Sequence, residues 1–319
     1  MNERIQQQHR CGDQVLDHTL STLHALYKEN HIRPGRVSRL AVKPLWNVII
    51  GSQNECGITG NRNDNPALYS RQISPEIRRL QGMIGKPLFE IAETGMRSDN
   101  ILDRSFAIAA MIALSQPFLG CSAVRKRGYH AQCWMATDSI VQKYPMISRL
   151  LTSDDVVAFV GYDNLARSLR RHCRALHVID KLTLETFRTV IIDHEISYGP
   201  GDIALHRFDE APEVLGTADV VLLPASSLVD NSFCTLLDSA KHARLVGIYG
   251  LGGALIPDEF FMHGVDFISS FRVDNTAKFI EAMQHDPDMA HAMKMNQRHY
   301  MVMRPDADCG QPPEYGRQV

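Results

Sequence analysis

The sequence lacks most of the short signatures that announce a chemistry. Its 319 residues contain no GxSxG elbow, HExxH pair, Walker A loop or EF-hand loop. Serine hydrolysis, zinc proteolysis, P-loop phosphoryl transfer and EF-hand calcium binding therefore have no local support. His172 and Cys173 are adjacent, but neighbours on a helix do not face each other, so they do not form a nucleophile–base pair. Charge of one sign is lacking too. The formal net charge is −2, which excludes a nucleic-acid or membrane-surface role resting on bulk electrostatics.

Long apolar runs are missing. None approaches the roughly 18–20 residues that cross a bilayer, and the opening MNERIQQQHRCGDQ has no apolar signal-peptide core. Cysteine is sparse and odd in number: Cys11, Cys56, Cys121, Cys133, Cys173, Cys234 and Cys309 are scattered, with no CxxC pair. The expectation is a cytoplasmic protein with reduced thiols.

What is present reads as two parts. Hydrophobic residues make up 44% and charged residues 22%, enough for two cores at this length. A helix is predicted over 13–30, with Val15, Leu16, Leu20, Leu23 and Leu26 at helical spacing. Three short β-like runs follow, at 37–42, 46–52 and 55–61, ending at the turn-forming 62–66. Helices are predicted from Ser74-Pro75 to Gly82, over 87–93, and over 98–119 with a broad apolar face. This is an α+β pattern. Residues 120–153 carry no clear periodicity, apart from a helix-like 139–151 interrupted at Pro145.

From Asp154 the pattern alternates between strand and helix. Near-continuous apolar runs at 156–162, 219–227 and 244–250 read as strands covered on both faces. Runs at 175–180, 189–193, 203–208 and 265–271 add further strands. The expected fold class is α/β: an α+β N-terminal domain, then a Rossmann-like parallel sheet.

In such a sheet a ligand binds beyond the carboxyl ends of the strands, which directs attention to three segments. Gly161-Tyr162-Asp163 follows the first strand, and Asp180 closes the second, where Rossmann proteins often place an acid against a ribose. The GxGxxG fingerprint is absent, because Gly161 is followed by YDNLA, and this counts against an ordinary dinucleotide. The segment Pro224 to Ser232 carries Ser226, Ser227, Asp230, Asn231 and Ser232; one of these suffices to cap the next helix, leaving surplus groups to orient a ligand. Gly250, Gly252 and Gly253 offer backbone N–H groups as in an anion nest, or simply form a turn. Residues 289–303 hold five of the thirteen methionines. As a helix this run would pair Met295 with His299 one turn apart, beside His291 and Met293. Thioether and imidazole donors suit soft or borderline metal ions, although methionine is also a common filler of packed helices. The tail after Arg304 is Pro/Gly-rich and reads as disordered.

The run from VVAFVGY through DVVLLPASSLVDNSF to LVGIYGLGGALIPDEFFMHGVDFISSFRVDN resembles the DUF364 family, a heavy-metal chelation domain. ECGITGN, GKPLFEIAE and DRSFAIAAMIALSQP resemble the DUF4213 domain that precedes it. The resemblance implies an enolase-N-terminal-like domain over 10–122, a Rossmann-like domain over 123–288 and a Met/His-rich segment over 289–319, with a ligand in the interdomain cleft. It departs from the family at three places. PASSLVDNS stands where the family reads like TGTTLVNGT, GLGGA where it tends to GPSTP, and Ile112 where a helix usually carries an amide.

Three functions follow as expectations. The first is binding or processing of a small molecule linked to metal or metallophore metabolism, the cofactor being a transition metal ion or its chelate. The second is an enzyme using S-adenosylmethionine or NAD(P) in specialised-metabolite biosynthesis. The third is a soft-metal carrier using the Met/His run. The partner expected is a small-molecule ligand, with no nucleic acid and no membrane; outer helices of the sheet could also pair two copies into a homodimer.

Overall fold

A computed structural model describes residues 2–43, 46–61, 75–135, 146–181, 190–192, 195–197, 203–286, 292–293 and 296–307. The first part holds α1 (Asn2–Glu29), the strands β1 (Val37–Val42), β2 (Trp46–Gly51) and β3 (Cys56–Gly60), and the helices α2 (Pro75–Gln81), α3 (Leu88–Met96), α4 (Ile101–Ser115) and α5 (Cys121–Lys126). The strands form an antiparallel sheet in the order β1-β2-β3. The side chain of Asn100 caps α4 by accepting from the amides of Leu102 and Asp103, satisfying donors a helix start leaves open. Nearly the whole length of α4 is buried. It lies against one face of the small sheet, while Val48, Ile50 and Ile58 on the other face pack on Leu251, Val273, Phe279 and Met293.

The large sheet comprises β4 (His130–Met135), β5 (Val156–Val160), β6 (Ala175–Asp180), β9 (Ala204–Arg207), β10 (Val220–Pro224), β11 (Leu245–Tyr249), β12 (Phe267–Val273) and β13 (Gln297–Met303). Between β6 and β9 lies a separate hairpin, β7 (Val190–Ile192) with β8 (Glu195–Ser197). The order is β4-β13-β12-β11-β10-β5-β6-β9. Its six parallel strands from β9 to β12 follow the 3-2-1-4-5-6 order of a Rossmann sheet, with the switch point between β5 and β10. α6 (Asn164–Leu169) packs on one face; α7 (Ala211–Gly216), α8 (Phe233–Ser239) and α9 (Asp258–Met262) pack on the other. α10 (Thr276–His285) leads towards β13. Among the described residues no helix is long and apolar enough to cross a membrane.

Three expectations change. Residues 297–303 form a strand, antiparallel to both β12 and β4, where a helix was expected. Both faces of β13 are covered, so its apolar residues show no polar alternation to read. The segment 130–135, without clear periodicity, is the edge strand β4. Cys121 and Cys133, expected as thiols, form a disulfide that joins α5 to β4, because the chain turns back over twelve residues and brings the two side chains together. Cys56, Cys173 and Cys234 are buried thiols outside the disulfide. The residues after 307, expected to be disordered, lie outside the described residues, as do 139–145 of the expected helix, Cys309 and the side chain of Cys11.

Candidate functional site at the carboxyl edge of the large sheet

The polar segment after β10 is built by its own hydrogen bonds. Residues Ala225–Leu228 form a short 3-10 turn, in which the hydroxyl of Ser227 donates to the carbonyl of Pro224 at 2.6 Å and is buried. The Ser226 carbonyl accepts from the amides of Val229 and Asp230. Asn231 then adopts a φ of 63°, a left-handed conformation that Asn tolerates better than most residues. Asp230 Oδ1 accepts from the Ser232 amide at 3.2 Å and from the Ser232 hydroxyl at 2.6 Å. Its Oδ2 receives Lys181 Nζ at 2.7 Å. The Lys181 ammonium lies 4.7 Å from the centre of the Phe208 ring, a cation–π distance.

These groups border a cavity of about 370 Å³ between α7 and α8, whose lining includes Phe208, Asp209, Asp230, Asn231, Ser232 and Thr235. It opens beyond the carboxyl ends of β6, β9 and β10, where the strand order places ligands. Three of the residues singled out from sequence, Asp230, Asn231 and Ser232, meet here. Ser226 and Ser227 belong to the supporting turn.

Arg104 of α4 reaches this loop from the other half of the chain. Its Nε donates to the Leu228 carbonyl at 3.1 Å, one terminal nitrogen to Met96 O at 3.2 Å and the other to Asn231 Oδ1 at 2.9 Å. The guanidinium thus fixes the loop backbone through a fork geometry that lysine cannot reproduce. Replacing Arg104 with Met should cost about 2 kcal/mol, since buried carbonyl acceptors lose charged donors. Urea unfolding measures it; an unchanged midpoint would show that the bonds are dispensable.

The remaining predicted residues serve local structure. Gly161 has a φ of 87°, a turn that an L side chain rarely follows. The Tyr249 hydroxyl donates to the Val160 carbonyl at 2.6 Å beside it. Asp163 caps α6 by accepting from the Leu165 and Ala166 amides at 2.7 and 3.2 Å. Asp180 Oδ2 accepts the Tyr162 amide at 2.7 Å, so the acid at the end of β6 holds the loop after β5. Gly252 and Gly253 are buried against Ala225. They pack closely within a short 3-10 turn, the turn alternative rather than an exposed nest.

Of the Met/His run, His291 and Met295 lie outside the described residues. Met293 packs with Val48, Ile50 and Phe279, as a core filler does. His299 is buried in β13, its ring stacked on Trp134 at 5.8 Å and tilted against Phe271. Among the described residues no group of three or more His, Cys, Asp and Glu side chains is placed to hold a metal ion. The cavity donors are carboxylate, amide and hydroxyl oxygens, which suit hard ions and do not fit a directly ligated soft heavy metal.

A second cavity, of about 410 Å³, does lie between the two halves; its lining includes Asn54, Glu55, Gln116, Arg272, Asp274 and Thr276. None of the residues singled out from sequence borders it. Lys181, Phe208 and Arg104 went unread because a lone lysine, phenylalanine or arginine carries no motif and each reaches the site only through the tertiary fold.

The Rossmann-ordered sheet with helices on both faces defines an α/β protein. The chain carries a DUF364 domain, matching over residues 146–302 the family model described as "Putative heavy-metal chelation". Its fold is similar to that of a DUF364 protein of unknown function from Pyrococcus horikoshii, with a TM-score of 0.61 and 17% identity over 91% of this chain and 100% of the other. A second, from Desulfitobacterium hafniense and also of unknown function, gives a TM-score of 0.59 and 19% identity over 89% and 99%. No curated protein is similar enough to match.

Proposed function

We propose that the chain binds a small polar organic ligand of metal or metal-chelator metabolism in the cavity between α7 and α8. The observation that carries this reading is the Asp230 carboxylate, held by Lys181 and Ser232 at the cavity border. An oxygen-rich lining beside an apolar wall at Phe208 suits the body and polar groups of a chelator better than a bare soft ion. The ligand is then recognised through its own donors, and any metal enters as part of it.

Native mass spectrometry of protein purified from its own host, before and after mild denaturation, tests this. A released organic molecule, with or without metal, is the expected result. Wild-type protein should rebind it, and Asp230→Ala should weaken binding at least tenfold, the loss of about one charge-assisted hydrogen bond. Retention of full affinity by that variant would place the ligand elsewhere.

A second reading, a nucleotide-type cofactor, draws on the 3-2-1-4-5-6 strand order. The engagement of Asp180 with the Tyr162 amide opposes it. At a hundredfold excess over Kd a true cofactor stabilises by about 2.7 kcal/mol. A melting panel with S-adenosylmethionine and NAD(P) therefore separates the two readings.

A further inference from the structure

The edge of the large sheet carries a pair of imidazoles that the cavity does not use. His177 of β6 and His206 of β9 meet nitrogen to nitrogen, Nδ1 to Nε2, at 2.9 Å. Their ring centres are 5.1 Å apart, about the sum of that contact and the two centre-to-nitrogen distances, so the rings meet end to end. The register pairs Ile179 with His206, and Ile179 belongs to the core on the α7–α8 face. Parallel pairing and the period of two therefore put both imidazoles on that face.

Behind His206 stands Glu210, its Oε2 3.8 Å from His206 Nδ1. That same oxygen accepts the Arg207 amide at 2.7 Å, which fixes the carboxylate in place. At that distance the carboxylate acts through its charge, favouring the tautomer with the proton on the far nitrogen and a lone pair on the near one; a small approach would make the hydrogen bond that supports metal-bound histidines.

We infer that His177 Nδ1 and His206 Nε2 form a two-histidine site for a borderline divalent transition-metal ion, with Glu210 orienting His206 from behind. Two imidazole nitrogens at about 2.0–2.1 Å from a common ion stand about 2.9 to 3.4 Å apart, for right-angle to tetrahedral geometry. The observed 2.9 Å is the length of a hydrogen bond between nitrogens meeting end to end; a pivot of the two rings at nearly that separation directs both lone pairs at one point. Binding requires the proton now shared between the nitrogens to leave that contact, His177 taking the tautomer that carries it on Nε2, and water or an exogenous ligand completes the coordination. Imidazole donors favour copper(II), nickel(II) and zinc(II) over magnesium or calcium. The side chain of His206 is 24% exposed, so an ion reaches it from solvent.

The inference does not rest on the ligand proposed for the cavity. Its test uses copper(II) chloride alone on the full chain. Wild-type protein should take up one more equivalent than His177→Gln/His206→Gln, with two-nitrogen hyperfine structure in its electron paramagnetic resonance spectrum. Glu210→Gln should keep that stoichiometry and weaken binding tenfold or more. Equal stoichiometry and identical spectra for the folded double variant would overturn the site. Should the double variant fail to fold, carbethoxylation of wild type decides. Copper(II) should protect both His177 and His206, and modification of His206 at an unchanged rate would equally overturn the site.

Discussion

Gly57→Ala should unfold the N-terminal half or cost it about 3 kcal/mol or more, the upper end of overpacking penalties. A Cβ at this position would stand 1.7 Å from the carbonyl oxygen of Ala109 and 2.6 Å from its carbon. Both atoms are backbone, so no side-chain rotation relieves the clash. The next nearest atom is the Ala113 amide nitrogen, which means the strand lies directly on the axis of α4. Accommodating a methyl group requires the helix to move outward by more than an ångström. That would open gaps along a helix whose side chains are almost all buried, and close-packed interiors tolerate such gaps poorly. It would also drag Arg104, which sits on α4 and holds the carbonyl of Leu228. Damage to the small sheet should thus reach the cavity between α7 and α8. Gly60→Ala is the control: nothing lies within 4 Å of its Cβ, so a change within about 0.5 kcal/mol is expected. Urea unfolding of the two variants checks the contrast. Equal midpoints would mean that α4 does not sit on β3 as described.

The contrast also shows what a single sequence carries. ECGITGN is legible as a β-like run, and β3 occupies Cys56–Gly60. The reason for Gly57, a helix some fifty residues later pressing on it, is not. The same division runs through the large sheet. The strands β5, β10 and β11 are fully covered, so their unbroken Val/Ile/Leu runs announce them. β13 is covered as well, yet the Met and His residues over 289–303 recur at intervals of four as well as two, so a helical period fits them too. β4, in HAQCWM, has neither an apolar run nor alternation to offer. At the site, the surplus of polar groups over 226–232 marked the loop, because one cap needs one residue. It could not say which of them face the cavity. Asp230, Asn231 and Ser232 do, while Ser227 turns back to Pro224. The glycines at 252 and 253 stay open between a turn and an anion nest in the sequence for a physical reason: close packing and a nest ask for the same residue.

Asp155→Ala should cost about 3 kcal/mol while leaving ligand binding per folded molecule unchanged. The residue sits at the amino end of β5, opposite the cavity, and is buried. Arg244 Nε donates to its Oδ1 at 2.9 Å, and a terminal nitrogen of the same guanidinium donates to its Oδ2. The Thr152 amide donates to Oδ2 at 2.6 Å. Two further acids hold the same edge, Asp219 accepting the Val156 amide and Asp266 the Val246 amide, both at 2.8 Å. The amino edge therefore fixes strand register. Breaking a buried pair by removing one partner costs about 3–5 kcal/mol. The low end applies because Arg244 keeps 34% of its side chain in water. Burial alone would raise the Asp155 carboxyl; the bonds from Arg244 and Thr152 outweigh it and hold the group below the usual carboxylate range. A lowered folded-state value means that the unfolded chain binds the proton more tightly. Its contribution is therefore fully present above the unfolded value, about 3.9, and is lost as pH falls through the folded one. Wild-type stability should accordingly fall more steeply below about pH 4 than that of Asp155→Ala, the two curves converging in acid. Urea midpoints between pH 7 and pH 3 measure this. Parallel curves would assign the cost of the substitution to lost packing rather than to the ion pair.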